Sequence, residues 1–239
     1  MDNNLDYLKR YLDPSQLADG IKRYQNDEPL QYIVGNVDFY GYQIKVNHDV
    51  LIPRFETELL VSKTLNYIKE YFNQDLHILD LGTGSGCIAI TLKKQLPKSK
   101  VTAIDISDAA LQVAKDNAFL NNADITLFKS DMLTKIVDQY DVIISNPPYI
   151  GHDEEVMDIV KDNEPHLALY TDNDGLKYYQ DILKNAGKNL NDKFIIAFEI
   201  GSLQGQKVSD LAHLYFKECQ ITIESDYANL DRFVFIIKK

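Results

Sequence analysis

Residues 79–90 read LDLGTGSGCIAI, and this stretch decides the fold class. It places a glycine-rich turn between an apolar run at 76–81 and a predicted helix. Glycine adopts positive φ angles without strain and lets the backbone approach a ligand closely. A helix that begins near Gly86 adds exposed backbone N–H groups to the same turn. The stretch therefore predicts a strand, a ligand-binding turn and a helix in immediate succession.

Downstream of this turn the chain alternates β-rich apolar runs with helical segments. The predicted strands are 76–81, 101–105, 125–129, 140–145, 193–200, 220–225 and 232–238, and the clearest helices are 107–122 and 176–190. Strands separated by helices give a parallel sheet with helices on both faces. The last two runs are too close together for a crossover helix and should pair antiparallel. We therefore predict an α/β fold with a seven-stranded, mostly parallel, doubly wound sheet whose last strand is antiparallel.

The region ahead of the sheet contains two smaller predicted segments. Residues 4–25 have the pattern of two short helices, and residues 31–47 alternate apolar and polar side chains around Gly41, which is typical of a β-hairpin. We divide the chain into a short N-terminal helical segment (1–30), a β-hairpin and linker (31–60) and the main domain (61–239). The N-terminal part is too small to bury a core alone and is expected to pack on the main domain.

Composition and charge restrict the class of protein. The chain is 45% hydrophobic and 26% charged, which is typical of a soluble globular protein. No apolar run reaches the ~18 residues that cross a bilayer, and the N-terminus lacks the apolar core of a signal peptide. The two cysteines are expected to be reduced thiols of a cytoplasmic protein. The net charge of −11 disfavours bare DNA or RNA as a partner, because such a surface repels phosphates.

Metal binding is not expected from this sequence. The five histidines lack metal-ligand spacing. The acidic residues 152–158, HDEEVMD, are compatible with a two-metal site, but we interpret them as a solvated, mobile substrate loop.

Acidic side chains follow the first strands and predict the cofactor. Asp105 ends the second strand, where a carboxylate accepts hydrogen bonds from both hydroxyls of a ribose. Asp131 and Met132 follow the third strand, where they can bind an adenine amino group and pack on its ring. A glycine loop alone is often a purely structural turn, and it is the combination with Asp105 and the sheet that favours a nucleotide-like ligand.

The kind of cofactor follows from two further observations. The dinucleotide fingerprint requires glycine or alanine where this chain has Cys87. Asp80 can reach a cationic group across the turn, which suits S-adenosylmethionine, whose product is S-adenosylhomocysteine. The predicted cofactor-binding residues are Asp80, Gly82, Thr83, Gly84, Ser85, Gly86, Asp105, Asp131, Met132 and Asn146.

Residues 144–150, ISNPPYI, follow the fourth strand and are expected beside the glycine loop, because ligands bind beyond the carboxyl ends of the strands. Asn146 offers a side-chain oxygen and Pro147 a backbone carbonyl, which together accept both N–H groups of an amide or aromatic amine. The prolines stiffen the loop, and Tyr149 offers a flat face for stacking. The competing interpretation is a rigid turn that merely ends a strand. We predict catalytic roles for Asn146, Pro147 and Tyr149, and substrate binding by these three and Pro148.

Several motifs together resemble the peptide chain release factor glutamine methyltransferase family. They are DLGTGSGCIAI, SNPPYI, EPHLALYTDNDGLKYYQDIL, EIGSLQGQKV and DYANLDRFVFI, with PLQYIVGNVDFYGYQIKVNHDVLIPRFETELL upstream. The resemblance runs from Pro29 to the C-terminus. It implies a class I methyltransferase fold and methyl transfer from S-adenosylmethionine to the side-chain nitrogen N5 of the glutamine in the GGQ motif of class 1 release factors. It also implies that residues 82–86, Asp105 and Met132 line the cofactor and that residues 146–149 hold the glutamine.

The NPPY motif by itself does not separate a glutamine amide from adenine, because both present two N–H groups. The alternatives are an N-methyltransferase of a ribosomal protein glutamine, or of adenine or guanine in nucleic acid, and a non-catalytic module of the same fold that binds translation factors. The segment LIPRFETELL (51–60), Ile150 and the acidic charge favour the release factor. The expected partner is thus a class 1 release factor, with no direct nucleic acid, no membrane and a monomeric chain.

The chain departs from the family pattern at two places. Phe55 stands where the family has a proline. Only residues 1–28 precede the match, whereas the family has a larger helical bundle at this place. If that bundle binds the release factor in the family, we expect docking to this chain to be weaker or differently built.

Overall fold

The computed structural model describes residues 3–239, whose elements are two sheets, ten α-helices and two short 3-10 helices. The strands are β1 (Asn36–Phe39), β2 (Tyr42–Lys45), β3 (His77–Leu81), β4 (Lys100–Asp105), β5 (Thr126–Lys129), β6 (Tyr140–Ser145), β7 (Leu190–Glu199), β8 (Gln220–Ser225) and β9 (Asp231–Lys238). The helices are α1 (Asn3–Tyr11), α2 (Leu17–Tyr24), α3 (Leu30–Val34), α4 (Phe55–Tyr71), α5 (Cys87–Gln95), α6 (Asp108–Leu120), α7 (Asp158–Asn163), α8 (His166–Leu169), α9 (Lys177–Asn185) and α10 (Gly205–Tyr215). The 3-10 helices are Met132–Lys135 and Ala186–Asn189.

The main sheet has the strand order β5-β4-β3-β6-β7-β9-β8. Strands β3 to β7 pair in parallel, whereas β9 runs antiparallel to both β7 and β8. These pairings confirm the predicted seven-stranded, mostly parallel sheet with its last strand antiparallel, which is the class I methyltransferase arrangement. The chain order reverses between β3 and β6, and the loops that follow these two strands diverge there to leave a crevice.

The core lies on both faces of this sheet because successive side chains of a strand point to opposite sides. Ile78 of β3 packs in one apolar layer with residues of α4, α5 and α6, while Leu79 packs in the other with residues of α9 and α10. Each fully buried leucine or isoleucine contributes about 1.5–3 kcal/mol of hydrophobic stabilisation. Within residues 3–239, every helix is too short or too polar to span a bilayer.

The hairpin is shorter than the alternating pattern predicts. Helix α3 occupies Leu30–Val34 and ends at Gly35, whose φ of 81° stops it, so that only β1 and β2 form the hairpin. Tyr32 and Ile33 are both buried, which neighbouring residues of a one-faced strand cannot be. The Tyr32 hydroxyl donates to the carbonyl of Val50 at 2.6 Å and attaches the helix to the segment that leads to α4.

The two predicted N-terminal helices are present as α1 and α2, which pack against each other and against α3. The Arg23 guanidinium donates two hydrogen bonds to Glu28, at 2.7 and 2.5 Å. His48 lies 3.0 Å from the same carboxylate and 3.1 Å from the carbonyl of Asn163. These contacts join the N-terminal helices to the α7 region of the main domain, as the small size of the segment requires.

Asn117 of α6 joins the hairpin to the glycine-rich turn. Its Oδ1 accepts the Lys45 N–H at 2.7 Å, and its Nδ2 donates to the carbonyls of Lys45 and Ser85, both at 2.9 Å. The side chain is fully buried, so its polar atoms depend on these partners. One turn later, Asn121 donates to the carbonyl of Gln43 at 2.9 Å from a more exposed position.

We expect Asn117→Ala to lower the free energy of unfolding by roughly 2–4 kcal/mol, because it leaves buried backbone groups without partners. Asn121→Ala is the matched control, since it removes a hydrogen bond to the same hairpin at a site open to water, and should cost less than about 1 kcal/mol. Urea unfolding monitored by circular dichroism measures both. Equal costs for the two variants would contradict the role of Asn117.

Candidate functional site

A cavity opens at the carboxyl ends of β3, β4, β5 and β6, where the strand order reverses. Its floor is the glycine-rich turn after β3, and the loops after the next three strands surround it. The segment that leads into α4 and the residues around α8 close the outer side. A concave site at this edge is where open α/β sheets bind ligands.

The cavity brings together most of the residues that the sequence singled out. Its lining includes Gly82, Thr83, Gly84, Ser85, Asp105, Asp131, Met132, Asn146 and Pro148. The lining does not include Asp80, Gly86, Pro147 or Tyr149. Asp80 and Pro147 are buried behind the surface, and Gly86 begins α5.

The glycines of the turn serve two different purposes. A Cβ on Gly84 would meet no other atom within 4 Å, so this residue leaves room above the backbone for a ligand. A Cβ on Gly86 would lie 3.1 Å from the Ala114 Cβ, so this residue lets α5 pack closely on α6. Both have positive φ, 54° and 83°, a conformation that glycine adopts without strain.

Asp105 fixes the shape of the turn. One carboxylate oxygen accepts the Gly84 N–H at 2.9 Å, and the other accepts the Ser107 N–H at 2.9 Å. Burial raises the pKa of Asp105, and these N–H groups partly oppose the rise. Because a carboxylate has about four acceptor positions, Asp105 can still accept hydrogen bonds from a ligand in the cavity.

Asp80 lies beneath the turn and is fully buried. Its Oδ2 accepts a hydrogen bond from the Thr83 hydroxyl at 2.6 Å, while its Oδ1 has no partner within residues 3–239. Burial raises the pKa of Asp80 to about 7. A buried acceptor of this kind suits a ligand that brings an N–H group or a positive charge.

Met132 takes a backbone conformation that is rare for its residue type. Its φ is 41°, which for a non-glycine residue costs on the order of 1–3 kcal/mol. The Ser130 hydroxyl holds this turn by donating to the Met132 carbonyl at 2.8 Å. The Met132 methyl group lies 3.9 Å from where a Cβ of Gly82 would be, so the side chain reaches over the glycine turn. Asp131 is exposed beside it at the edge of the cavity.

Asn146 is hydrogen-bonded to buried Thr57 and, through Thr57, is linked to buried Glu199. Its Nδ2 donates to the Thr57 Oγ1 at 3.2 Å, and the Thr57 hydroxyl donates to a carboxylate oxygen of Glu199 at 2.7 Å. Thr57 lies in the first turn of α4 and Glu199 ends β7. Burial raises the pKa of Glu199 to about 7.

Several contacts hold the NPPY loop in place. The Tyr149 carbonyl accepts a hydrogen bond from Gln204 Nε2 at 2.8 Å, and Gln204 Oε1 accepts the Gly201 N–H at 2.9 Å. Ahead of the loop, the Ser145 hydroxyl donates to the Leu81 carbonyl at 2.7 Å, which ties β6 to β3. Burial raises the pKa of Tyr149 to about 12, so its ring carries a neutral hydroxyl. The loop is therefore stiff, as its two prolines predict.

Glu164 joins the two segments that close the cavity. Its Oε1 lies 2.5 Å from Arg54 Nη2, and its Oε2 accepts the Ile52 N–H at 3.1 Å. Pro53 and Pro165, the neighbours of this pair along the chain, both line the cavity. Phe55 begins α4 beside them, a first-turn position where proline is also favoured, and its ring stacks on Tyr227 at 6.0 Å.

Several residues that shape the site carry no local signal in the sequence and were not predicted from it: Arg54, Thr57, Glu164, Glu199 and Gln204. All of them lie within the quoted family motifs, but their partners are distant in the chain, 110 residues apart for Arg54 and Glu164. The acidic loop 152–158 contributes a local contact, in which Glu154 accepts the Gly151 N–H at 2.8 Å. No cluster of three or more His, Cys, Asp or Glu that could hold a metal ion occurs in the described part of the chain.

Comparison with known proteins gives consistent results. The methyltransferase small domain family matches residues 56–168. The release factor glutamine methyltransferase of Streptococcus pneumoniae is 45% identical over 211 residues, which cover 87% of this chain and 75% of that protein. The corresponding protein of Lactococcus lactis is 43% identical over 220 residues, 91% of this chain and 80% of that protein.

Solved structures share the fold. A protein-(glutamine-N5) methyltransferase (release factor-specific) from Alicyclobacillus acidocaldarius superposes with a TM-score of 0.51 and 24% identity. The superposition covers 82% of this chain and 99% of that chain.

We expect Gly175→Ala to disturb the NPPY loop. Gly175 has a φ of 80°, and its Cβ would lie 2.1 Å from the Tyr149 carbonyl oxygen, so the variant should lose more than about 2 kcal/mol of unfolding free energy. Gly187→Ala is the control, because a Cβ there meets nothing within 4 Å, and it should stay within about 0.5 kcal/mol of the unmodified chain. Urea unfolding compares them, and similar stabilities would show that the loop does not depend on this close contact.

Proposed function

The chain belongs to the release factor glutamine methyltransferase family, and we propose that it transfers a methyl group from S-adenosylmethionine to the side-chain nitrogen N5 of the glutamine in the GGQ motif of class 1 peptide chain release factors. The observation that carries this proposal is the common cavity of the glycine-rich turn, Asp105 and Asn146. This shared lining supports the proposal, because the residues proposed to bind a nucleoside and the residue proposed to accept from an amide would then act side by side. A methyl donor and a glutamine side chain can therefore meet in one enclosed space.

The residues present fit S-adenosylmethionine. Asp105 would accept hydrogen bonds from the ribose hydroxyls, and Asp131 and Met132 would hold the adenine by a hydrogen bond and by packing. Asp80, whose Oδ1 has no hydrogen-bond partner within residues 3–239, lies behind the cavity lining and would favour a positively charged methionine end through its charge. The open backbone of Gly84 leaves room for the ligand. When bound, the cofactor supplies an electrophilic methyl group.

The NPPY loop would hold the acceptor. An amide nitrogen is a weak nucleophile because its lone pair is delocalised. Asn146 Oδ1, from the cavity lining, and the Pro147 carbonyl, from the loop behind it, would accept its two N–H groups and orient it, and Tyr149 would contribute a neutral aromatic face. Neutral acceptors suffice, because the nitrogen becomes acidic once it has four substituents, and its proton can then leave to water.

The partner we propose is a protein loop that enters the cavity. The net charge of −11 opposes binding to the phosphates of nucleic acid. We further propose that the chain acts as a monomer in the cytoplasm.

We expect Asn146→Ala to lower the rate of methyl transfer by about 10²–10³-fold, since it removes an acceptor that orients the reacting amide. Its affinity for the cofactor should remain within about twofold, because the glycine-rich turn and Asp105 are unchanged. The measurement is mass spectrometry of a purified release factor incubated with each enzyme and S-adenosylmethionine, where the unmodified chain adds one methyl to the GGQ glutamine. Parallel loss of cofactor affinity and of transfer would show that Asn146 does not act on the acceptor.

We expect Asp105→Ala to weaken binding of S-adenosylhomocysteine by about 10- to 100-fold, because it removes charge-assisted hydrogen bonds to the ribose and to the glycine-rich turn. Asp108→Ala is the matched control: Asp108 lies three residues later, exposed, and pairs with Lys129 outside the cavity. Isothermal titration calorimetry measures both affinities. Unchanged affinity of the Asp105 variant would exclude Asp105 from the cofactor site.

A further inference from the structure

We propose that Thr57 and Glu199 are positioning residues that turn the Asn146 amide so that its oxygen faces the acceptor glutamine. This inference rests on the proposed function, because it concerns how the same site receives an amide N–H. Spacing along the chain does not reveal this role, because Thr57 and Glu199 are 142 residues apart.

The three side chains form one continuous hydrogen-bonded chain. Glu199 accepts from the Thr57 hydroxyl at 2.7 Å, and the Thr57 Oγ1 accepts from Asn146 Nδ2 at 3.2 Å. Thr57 is 3% exposed and Glu199 is 2% exposed, so water does not compete for these contacts. The residues come from α4, β7 and the loop after β6, which hold them in place independently.

The ionised state of Glu199 sets the direction of the hydrogen bonds that link Glu199, Thr57 and Asn146. A carboxylate only accepts hydrogen bonds, so the Thr57 hydroxyl must give its single proton to Glu199. The Thr57 oxygen is then an acceptor, and it selects the NH₂ group of Asn146 rather than its oxygen. The Asn146 Oδ1 consequently lies on the opposite side of the amide and is presented to the cavity that Asn146 lines.

Protonation of Glu199 removes this constraint on which group donates each hydrogen bond. A carboxylic acid can donate to Thr57, whose hydroxyl is then free to donate to Asn146 Oδ1. The Asn146 amide would turn over and present its NH₂ group to the N–H groups of the acceptor. Both groups are hydrogen-bond donors, so no hydrogen bond would form between them. The site would then bind the glutamine amide poorly in the reactive orientation.

The electrostatic surroundings place this change near neutral pH. Burial raises the pKa of Glu199 to about 7, against the hydrogen bond from Thr57 and the positive charge of Arg232, which lower it. The titratable and charged groups around Glu199 come from all the elements packed against it: Arg54, Glu56, Cys87, Tyr149, Tyr179 and Arg232. Because the deprotonated form is the competent one, the rate should rise as pH increases through about 7 and then level off.

The first test removes the hydroxyl or the charge. Thr57→Val keeps the shape of the side chain but removes its hydroxyl, and it should lower kcat by about 10- to 100-fold with the affinity for S-adenosylhomocysteine within about threefold. Glu199→Gln should lower kcat less, because the Gln amide can either accept from Thr57 or donate to it. Thr57→Ser restores the hydroxyl and should recover most of the rate. Thr64→Val is the matched control, since Thr64 is also buried in α4 but donates to the Leu60 carbonyl at 2.7 Å, away from the cavity.

The second test follows pH. The kcat of the unmodified enzyme should rise about tenfold per pH unit below the pKa of Glu199, and Glu199→Gln should be flat over the same range. In NMR spectra of the unmodified protein, the Asn146 side-chain NH₂ resonances should shift with a midpoint near pH 7, and this shift should disappear in Glu199→Gln.

The outcomes separate this inference from the proposed function. Wild-type kcat in Thr57→Val, or an Asn146 resonance in the unmodified protein that does not change with pH, would overturn the positioning role. Loss of cofactor affinity and thermal stability in step with kcat would overturn it in favour of a purely structural one. If the unmodified enzyme left the release factor unmethylated, the proposed function would fail, while the NMR titration would still decide the role of Glu199.

Discussion

The parallel pairing of β3, β4, β5 and β6 is the constraint on which the site depends. Parallel strands bring their carboxyl ends to one edge of the sheet, so four loops distant in the chain open into the same space. The reversal of strand order between β3 and β6 separates the loops there and leaves a cavity. The proposed cofactor residues and the NPPY loop lie together because the sheet aligns the strands that they follow.

Buried polar side chains then convert this shared edge into a rigid site. Asn117, Glu164 and Gln204 each bond backbone groups of a segment far from themselves in sequence. A buried polar group without a partner is costly, so each of these contacts favours one arrangement of the loops over its alternatives. The loops around the cavity are therefore held by polar contacts as well as by the apolar core beneath them.

Burial raises the pKa values of two carboxylates, Asp80 and Glu199, to about 7, and their surroundings suit different tasks. Asp80 has an unpartnered oxygen, which fits a positively charged ligand. Glu199 has a neutral hydroxyl as its partner, and through that hydroxyl it acts on the amide of Asn146. The same burial that raises both pKa values also strengthens their interactions, because the local dielectric constant is low.

The order of the strands along the chain, the antiparallel last strand and the residues at the end of each strand could all be predicted from the sequence, because apolar periodicity and glycine or proline turns are local properties. For the same reason Asp105 and Asn146 could be singled out as candidates, since they stand at the ends of strands, and the structure places both in the lining of one cavity. The alternating pattern predicted a hairpin that extends too far, into α3, because the consecutive burial of Tyr32 and Ile33 depends on the core around them. The contacts between Thr57 and Glu199, 142 residues apart, and between Arg54 and Glu164, 110 residues apart, are visible only in the folded chain. Such pairs produce no periodic pattern in the sequence, because the contact depends on how α4 and the α7–α8 region pack against the sheet and not on spacing along the chain.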